Sequence, residues 1–254
     1  MSLYGKRVVL TGASSGIGQA LVTEFLKEGC VVLGVSRTME QTGTEHEGLY
    51  RMNCDVSDPA QVDRLFHRAQ ELLGGIDVFV ANAGFAHYEF LGKPDWEHIR
   101  HIHDTNTFSP IYSAMKLKHD RGNEPWHMVM ISSAAGQLSM PGYALYCATK
   151  AAMRGFANAW QAELAPGQFL TTVYPIGTRT AFFRRAGSPE PWPLQNPEHV
   201  ARQVIRGIIG RKRSVYPSSL FRVLRLFPPL MTLYSRIGEM HFRRTQGKRR
   251  GEHG

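Results

Sequence analysis

The sequence predicts an α/β fold: a single doubly wound parallel sheet with helices on both faces. Three observations lead there. Short apolar, β-branched runs alternate with segments of helical periodicity from residue 6 to about residue 217, the signature of successive βαβ units. A glycine-rich turn, Gly12 to Gly18, stands directly between the first run and the first helical segment. A chain of 254 residues with 43% hydrophobic content is enough for one such domain with a substantial core.

The elements follow in order. Lys6–Thr11 reads as the first strand, Ile17–Glu28 as a helix and Val31–Ser36 as the second strand. The polar segment from Arg37 to Tyr50 has no room for a full crossover helix and is expected to be a loop or a single turn. Leu49–Cys54 is the third strand, Pro59–Leu73 a helix and Asp77–Ala81 the fourth strand, followed by helical stretches near 95–120. Then come a strand His127–Ser132, a long helix Ala144–Ala165 and a strand Phe169–Tyr174. Pro197–Gly210 is a further helix and Ser214–Tyr216 a short last strand. Domain organisation on this reading is 1–217 for the sheet domain and 218–254 for a C-terminal extension.

Charge is unevenly placed. Residues 1–200 carry 17 Lys/Arg and 19 Asp/Glu, a balance of −2, whereas residues 201–254 carry 13 and 2, a balance of +11. This describes a near-neutral body with a basic appendage rather than a polyanion-binding domain. Cys30, Cys54 and Cys147 are too few and too scattered for a disulfide framework or a zinc ribbon, and reduced thiols in a cytoplasmic protein are expected. The opening MSLYGKRVVL lacks the pattern of a signal peptide.

The turn after the first strand reads Thr11-Gly12-Ala13-Ser14-Ser15-Gly16-Ile17-Gly18. Strand before and helix after, with glycines where backbone must come close, describe a cradle for a pyrophosphate at a helix N-terminus. The spacing is T-G-x-x-x-G-x-G. Further along stand Asn82-Ala83-Gly84 after the fourth strand, Asn106, Ser133, and Tyr146-Cys147-Ala148-Thr149-Lys150, a Y-x-x-x-K. In this order, over residues 5–180, these motifs resemble the short-chain dehydrogenase/reductase family. The resemblance implies a Rossmann-type fold and an oxidoreductase that moves a hydride between nicotinamide and an alcohol/carbonyl pair.

The chemistry fits the residues. Proton delivery to a developing alkoxide needs an acid, and a free tyrosine has a pKa near ~10, high for work at neutral pH. A lysine four residues on shares its helix face and favours the tyrosinate. Tyr146 is therefore the expected general acid/base and Lys150 its electrostatic partner. The resemblance implies that Lys150 also holds the nicotinamide ribose, that Ser133 hydrogen-bonds the substrate oxygen, and that Asn106 supports a water relay to the lysine. Ser132 is excluded as the substrate serine because side chains alternate along a strand.

For the cofactor, the glycine loop (Gly12, Ser14, Ser15, Gly16, Ile17, Gly18) and Asn82-Ala83-Gly84 are expected to line the dinucleotide. The second strand ends in Ser36-Arg37 with no acid. An arginine there pairs with a 2′-phosphate, where an acid would repel it, so NADP(H) is favoured with NAD(H) as the alternative. The resemblance puts Asp55 and Val56 at the adenine ring and Pro175, Ile176, Thr178 and Thr180 near the nicotinamide. It departs from the family at one place: Ile176 stands where a glycine usually follows the proline. His98, His101 and His103 cluster, but no acidic or cysteine partner accompanies them at ligand spacing, and no metal is expected.

Residues 181–196 mix aromatics with prolines and fall where the family carries a mobile substrate lid, which implies a lipophilic substrate. The longest charge-free run of the extension, Leu226–Ser235, is well short of the ~20 residues that span a bilayer, and Pro228-Pro229 divides it into two helical pieces. Two readings stand for residues 219–250: peripheral contact with a membrane surface, or packing over the substrate cleft or a partner subunit. Nucleic-acid binding is set aside for want of a recognised fold or stacking aromatics. The expected partners are thus a small carbonyl or alcohol and, from the resemblance, a second or third and fourth copy in a homodimer or homotetramer. The competing function is a non-catalytic NAD(P)-binding regulator or membrane-surface module of the same fold, for which an intact Tyr146, Lys150, Ser133 and Asn106 would be unneeded.

Overall fold

A computed structural model describes residues 2–39, 46–191 and 193–251. Among these, seven strands form one parallel sheet: β1 (Arg7–Thr11), β2 (Val31–Ser36), β3 (Leu49–Asn53), β4 (Val78–Ala81), β5 (Trp126–Ile131), β6 (Gln168–Val173) and β7 (Ser214–Val215). Their spatial order is β3-β2-β1-β4-β5-β6-β7. The chain winds outward one way from β1 and the other way from β4, and in open sheets of this kind ligands bind at the strand carboxyl ends where the winding reverses. The expected doubly wound α/β class is the one observed.

The helices are α1 (Gly16–Lys27), α2 (Pro59–Leu73), α3 (Trp96–His103), α4 (Ser109–Arg121), α5 (Ala144–Trp160), α6 (Phe182–Ala186), α7 (Pro197–Ile209), α8 (Ser219–Leu224) and α9 (Pro228–Gly251). Alternation along β1 sorts the two cores. Val8 and Leu10 join Leu21 and Phe25 of α1 and Val204 and Ile208 of α7 on one face, while Val9 joins Leu65 of α2, Leu117 of α4 and Met153 of α5 on the other. Leu21 and Phe25 are fully buried, each contributing roughly 1.5–3 kcal/mol by burial. Local signals set the boundaries. Asp58 accepts from the Ala60 amide at 2.9 Å, Pro59 occupies the first turn of α2, and Gly74 closes that helix in the left-handed region at φ 71°.

One helix ends well short of its expected boundary. The helix expected to run to Ala165 ends at Trp160 and tightens into a 3-10 turn, Gln161–Glu163. Pro166 disfavours helical backbone at the residue before it, and Leu164 is already extended. The stretch near 95–120 is two helices joined by a π-helical turn, Asp104–Phe108. Of the loop expected between β2 and β3, residues 40–45 lie outside the described residues; the flanking parts are turns.

The extension forms two helices, parted at Pro228 as the double proline requires. Ser218 caps α8 by accepting from the Phe221 amide at 3.2 Å. None of the described helices is long and apolar enough to cross a membrane.

Candidate active site

The glycine loop is shaped by contacts that leave no space for side chains. Gly12 has φ +67°, and a Cβ on it would lie 2.8 Å from Asn82 Nδ2 and 2.9 Å from Ala83 Cα. A Cβ on Gly18 would lie 2.0 Å from the Gly12 carbonyl oxygen. Beneath the loop sits a hydrogen-bonded knot. The Thr11 hydroxyl accepts from the Asn82 and Ala83 amides, each at 3.1 Å, and donates to the Val80 carbonyl at 3.4 Å. Asn82 Nδ2 donates back to the carbonyls of Thr11 and Gly12, both at 3.1 Å. Thr11 was visible in the motif but not singled out; its role rests on side-chain geometry that spacing does not carry.

Ser15 begins α1 in extended backbone without capping it through its hydroxyl. The helix's leading amides thus receive no cap from the Ser15 side chain, an arrangement suited to an anion. Ser14, Gly16 and Ile17 complete the turn, and Thr180 closes on it: a Cβ on Gly16 would lie 2.9 Å from Thr180 Cγ2. At the end of β2, Arg37 is exposed. After β3, Asp55 Oδ1 accepts from the Ser57 amide and hydroxyl at 3.0 and 2.7 Å, and Val56 beside it is buried.

The four expected catalytic side chains come together at the carboxyl ends of β4 and β5. Ser133 follows β5 in extended backbone, where its hydroxyl accepts from the Ala135 amide at 3.1 Å. Its side chain also faces Tyr146 closely enough to favour the tyrosinate. Ser132 points away and donates to the Lys150 carbonyl at 3.2 Å, the alternation expected of a strand. Burial raises the Tyr146 pKa above the ordinary tyrosine range, against the opposing effect of Ser133. Lys150, buried one turn along α5, donates from Nζ to the Ile131 carbonyl at 2.9 Å, and its burial pushes its pKa down to about 8.

Asn106 lies in the π-helical turn, fully buried. Its Oδ1 accepts from the Phe85 amide at 3.0 Å, and its Nδ2 donates to the Phe85 carbonyl at 2.8 Å and to Thr149 Oγ1 at 3.3 Å. The carboxamide is thereby committed to stapling the loop after Gly84 onto α5. An inserted residue in a helix is a common way of re-aiming such a group.

Past β6, Pro175 accepts from the Ala134 amide at 2.8 Å, and Thr178 bonds the Ile176 carbonyl at 3.0 Å. The departure at Ile176 is accommodated by packing: it lies against the cluster of Ala134, Tyr174 and Phe221. Gly177 and Arg179 pair with Gln195, at 2.8 Å each, tying the two ends of the expected lid together. The lid's α6 lies over the site. Phe182 meets the Tyr146 ring at 5.5 Å, the Tyr88 amide donates to Ala186 at 2.8 Å, and the hydroxyls of Tyr143 and Ser188 are bonded. Tyr146 thus shares one apolar cluster, the chamber, with Ala86, Tyr88, Met140, Tyr143 and Phe182.

The extension forms part of the chamber's wall. Phe242 of α9 meets Tyr88 edge-on at 5.7 Å, Tyr88 meets Tyr143 at 5.3 Å, and Tyr143 meets Tyr146 at 6.1 Å. Ser235 donates to the Ser139 carbonyl at 3.1 Å. Packing over the cleft, one of the two readings of residues 219–250, is what the inner side of α9 does. Nothing in the sequence tied Phe242 to Tyr88. The histidines near α3 serve the same region: His98 Nε2 lies 2.8 Å from Glu89 Oε2, and His87 packs on His98 at 4.9 Å.

Residues 6–190 match the family model described as short chain dehydrogenase. The chain belongs to the short-chain dehydrogenase family. This short-chain dehydrogenase, an oxidoreductase, is 29% identical over 234 residues to the 3-ketodihydrosphingosine reductase of Bos taurus, covering 82% of this chain and 70% of that protein. It is 32% identical over 177 residues to the farnesol dehydrogenase of Aedes aegypti, covering 63% of this chain and 71% of that one. Among solved structures, a short-chain dehydrogenase from Sphingobium yanoikuyae in complex with NADPH superposes with a TM-score of 0.75 at 23% identity, covering 91% of this chain and 95% of that one. A short-chain dehydrogenase/reductase from Burkholderia phymatum in complex with NAD superposes at 0.78 and 20% identity, covering 89% and 93%. These two likenesses concern the fold.

Proposed function

We propose that this short-chain dehydrogenase is an NADP(H)-dependent carbonyl reductase or alcohol dehydrogenase acting on a lipophilic substrate. The observation that carries the reading is the Tyr146 side chain, set in an apolar chamber with Ser133 beside it and the Lys150 ammonium 5.7 Å from its ring. The residues fit a dinucleotide: the amides at the start of α1 are uncapped by Ser15, and the turn before them is packed so closely on Asn82, Ala83 and Thr180 that only glycine fits, holding its backbone in place for a pyrophosphate. Gly12, Ser14, Ser15, Gly16, Ile17 and Gly18 would hold that pyrophosphate, Asp55 and Val56 the adenine, and Asn82, Ala83 and Gly84 the inner edge. Pro175, Ile176, Thr178 and Thr180 would border the nicotinamide, and Arg37 would pair with the 2′-phosphate that distinguishes NADP(H). The NADPH of the Sphingobium yanoikuyae relative is in keeping with this choice, the NAD of the Burkholderia phymatum one with NAD(H) as the alternative.

When bound, the nicotinamide supplies or accepts the hydride. Ser133 donates to the substrate oxygen and orients it toward Tyr146. Tyr146 gives its proton to the oxygen as the carbonyl becomes an alcohol, and takes one in the reverse direction. Burial keeps the hydroxyl protonated near neutrality, the form needed to give a proton, and Lys150 together with a bound oxidised nicotinamide would favour the tyrosinate needed in the reverse direction. Lys150 bears on the ring from one turn below and would hold the ribose. Asn106, its side chain occupied by Phe85 and Thr149, positions α5 relative to the loop that follows Gly84.

The lipophilic substrate is supported by the aromatic chamber and by the names of the two relatives, a 3-ketodihydrosphingosine reductase and a farnesol dehydrogenase. A homodimer or homotetramer joined through α4 and α5 is supported on the α4 side by the exposed Phe108, Tyr112 and Met115; light scattering reads it directly. The test of function is NADPH oxidation with ketones of graded chain length. Efficiency should climb with length, and Tyr146→Phe should cost on the order of a hundredfold or more in kcat while NADPH still binds. An indifferent response to chain length removes the lipophilic substrate, and retained turnover in the variant removes the acid/base assignment.

A further inference from the structure

The outer side of the extension has an apolar surface that the fold does not use. At 100° per residue, α9 has two apolar rows. Met231, Ser235, Gly238 and Phe242 form the inner row, against Tyr174, Ser139, Pro141 and Tyr88. Leu230, Leu233, Ile237 and Met240 form a second row on the far side, each 48–54% exposed. Leu220, Val223, Leu226 and Phe227, on α8 and the turn after it, are 51–63% exposed. Large apolar side chains concentrated in this way mark a surface with a partner.

Charge indicates the kind of partner. Residues 219–251 carry eight Lys/Arg and one Asp/Glu. Arg222, Arg236 and Arg243 are exposed among the apolar residues, Arg222 also donating to the Tyr216 carbonyl and Arg243 pairing with Glu239. A helix with leucine-type residues outward and arginines along its flank suits an anionic lipid surface, with hydrocarbon taking the apolar row and phosphates taking the guanidinium groups. No described helix is long and apolar enough to span a bilayer, so the contact lies in the plane of the surface.

We propose that α8 and α9 dock this protein on an anionic phospholipid surface through Leu220, Val223, Leu226, Phe227, Leu230, Leu233, Ile237 and Met240. The same α9 walls the chamber through Phe242, so docking brings the Tyr146 chamber next to the lipid. The surface alone carries this inference; it does not depend on the reaction proposed above.

The test is co-sedimentation of the full chain with phosphatidylcholine vesicles, with and without about 30% phosphatidylserine, at about 0.1 M and about 0.5 M salt. The protein should sediment with the anionic vesicles and be released by salt. Leu233→Asp with Ile237→Asp should weaken binding roughly tenfold or more, and Arg236→Glu should weaken it less. NADPH affinity and the mass by light scattering should be unchanged in both variants, which separates loss of docking from loss of folding. Absence from the vesicle pellet at low salt overturns the proposal, as does equal binding to neutral vesicles or full binding by the double variant. It is also overturned if the double variant has a smaller mass than the parent, because then a second copy of the chain covers this face.

Discussion

The ammonium nitrogen of Lys150 lies 5.7 Å from the centre of the Tyr146 ring, and its hydrogen bond runs to the Ile131 carbonyl at 2.9 Å. Burial pushes its pKa down to about 8, so its positive charge fades as the pH rises through that value in the cofactor-free protein. An anionic nucleotide binds more tightly to the charged form. The Kd for NADPH should therefore rise several-fold between pH of about 7 and about 9.5. Lys150→Arg, charged throughout, should give a flatter profile. Fluorescence titration across that range checks this, and a pH-independent Kd in the parent would contradict it.

Thr11 is the hinge pin of the glycine loop, accepting from two main-chain amides with one hydroxyl. Thr11→Val keeps the shape and leaves those amides without an acceptor, at a cost of roughly 1–3 kcal/mol each. Thermal unfolding should move down by several degrees and NADPH affinity should fall with it, while Thr11→Ser should restore both. A valine variant as stable as the parent would show that the knot contributes little.

Arg37 is exposed at the end of β2. If it pairs with the 2′-phosphate, Arg37→Ala should raise the Kd for NADPH about 10- to 100-fold, the range of one charge-assisted hydrogen-bonded contact. The Kd for NADH should be unmoved. Equal losses for both nucleotides would mean that Arg37 supports the loop rather than reads the phosphate.

His127 is buried between β5 and β6, with Nε2 at 2.7 Å from Thr171 Oγ1, and burial pushes its pKa down to about 3. The unfolded chain takes up a proton below about 6.5, whereas the folded chain resists until about 3. Stability from this group is complete above the unfolded pKa and is lost progressively as pH falls between those values. His127→Gln should flatten the fall of the urea midpoint from pH of about 7 to about 4. An unchanged slope would place the acid sensitivity elsewhere.

Much of the sheet was legible because a parallel strand buried on both faces is a continuous apolar run, as in Val31–Ser36 and Trp126–Ile131. The glycine loop and the Tyr146–Lys150 pair were legible because sequence spacing sets their geometry within one turn or one loop. Other features depend on distant partners and leave no local trace. The π-helical turn around Asn106 is one extra residue in an otherwise helical pattern, and periodicity is too coarse to register it. The staple from Asn106 to Phe85, the knot at Thr11 and the seat of Phe242 on Tyr88 each join segments far apart in the chain. Pro166 was a local signal that could have shortened the helix expected to reach Ala165.

Gly142 lies in the left-handed region at φ +83°, beneath the crossing of Tyr88 and Phe242; a Cβ there would come within 2.2 Å of the first ring and 3.0 Å of the second. One carbon at that point would act as a wedge. It would prise the last helix from the chamber's rim and unsettle Tyr143, the ring packed at a tilt between that rim and Tyr146. The last helix and the apolar cluster around Tyr146 therefore meet over a single glycine, with no room between them for one more carbon.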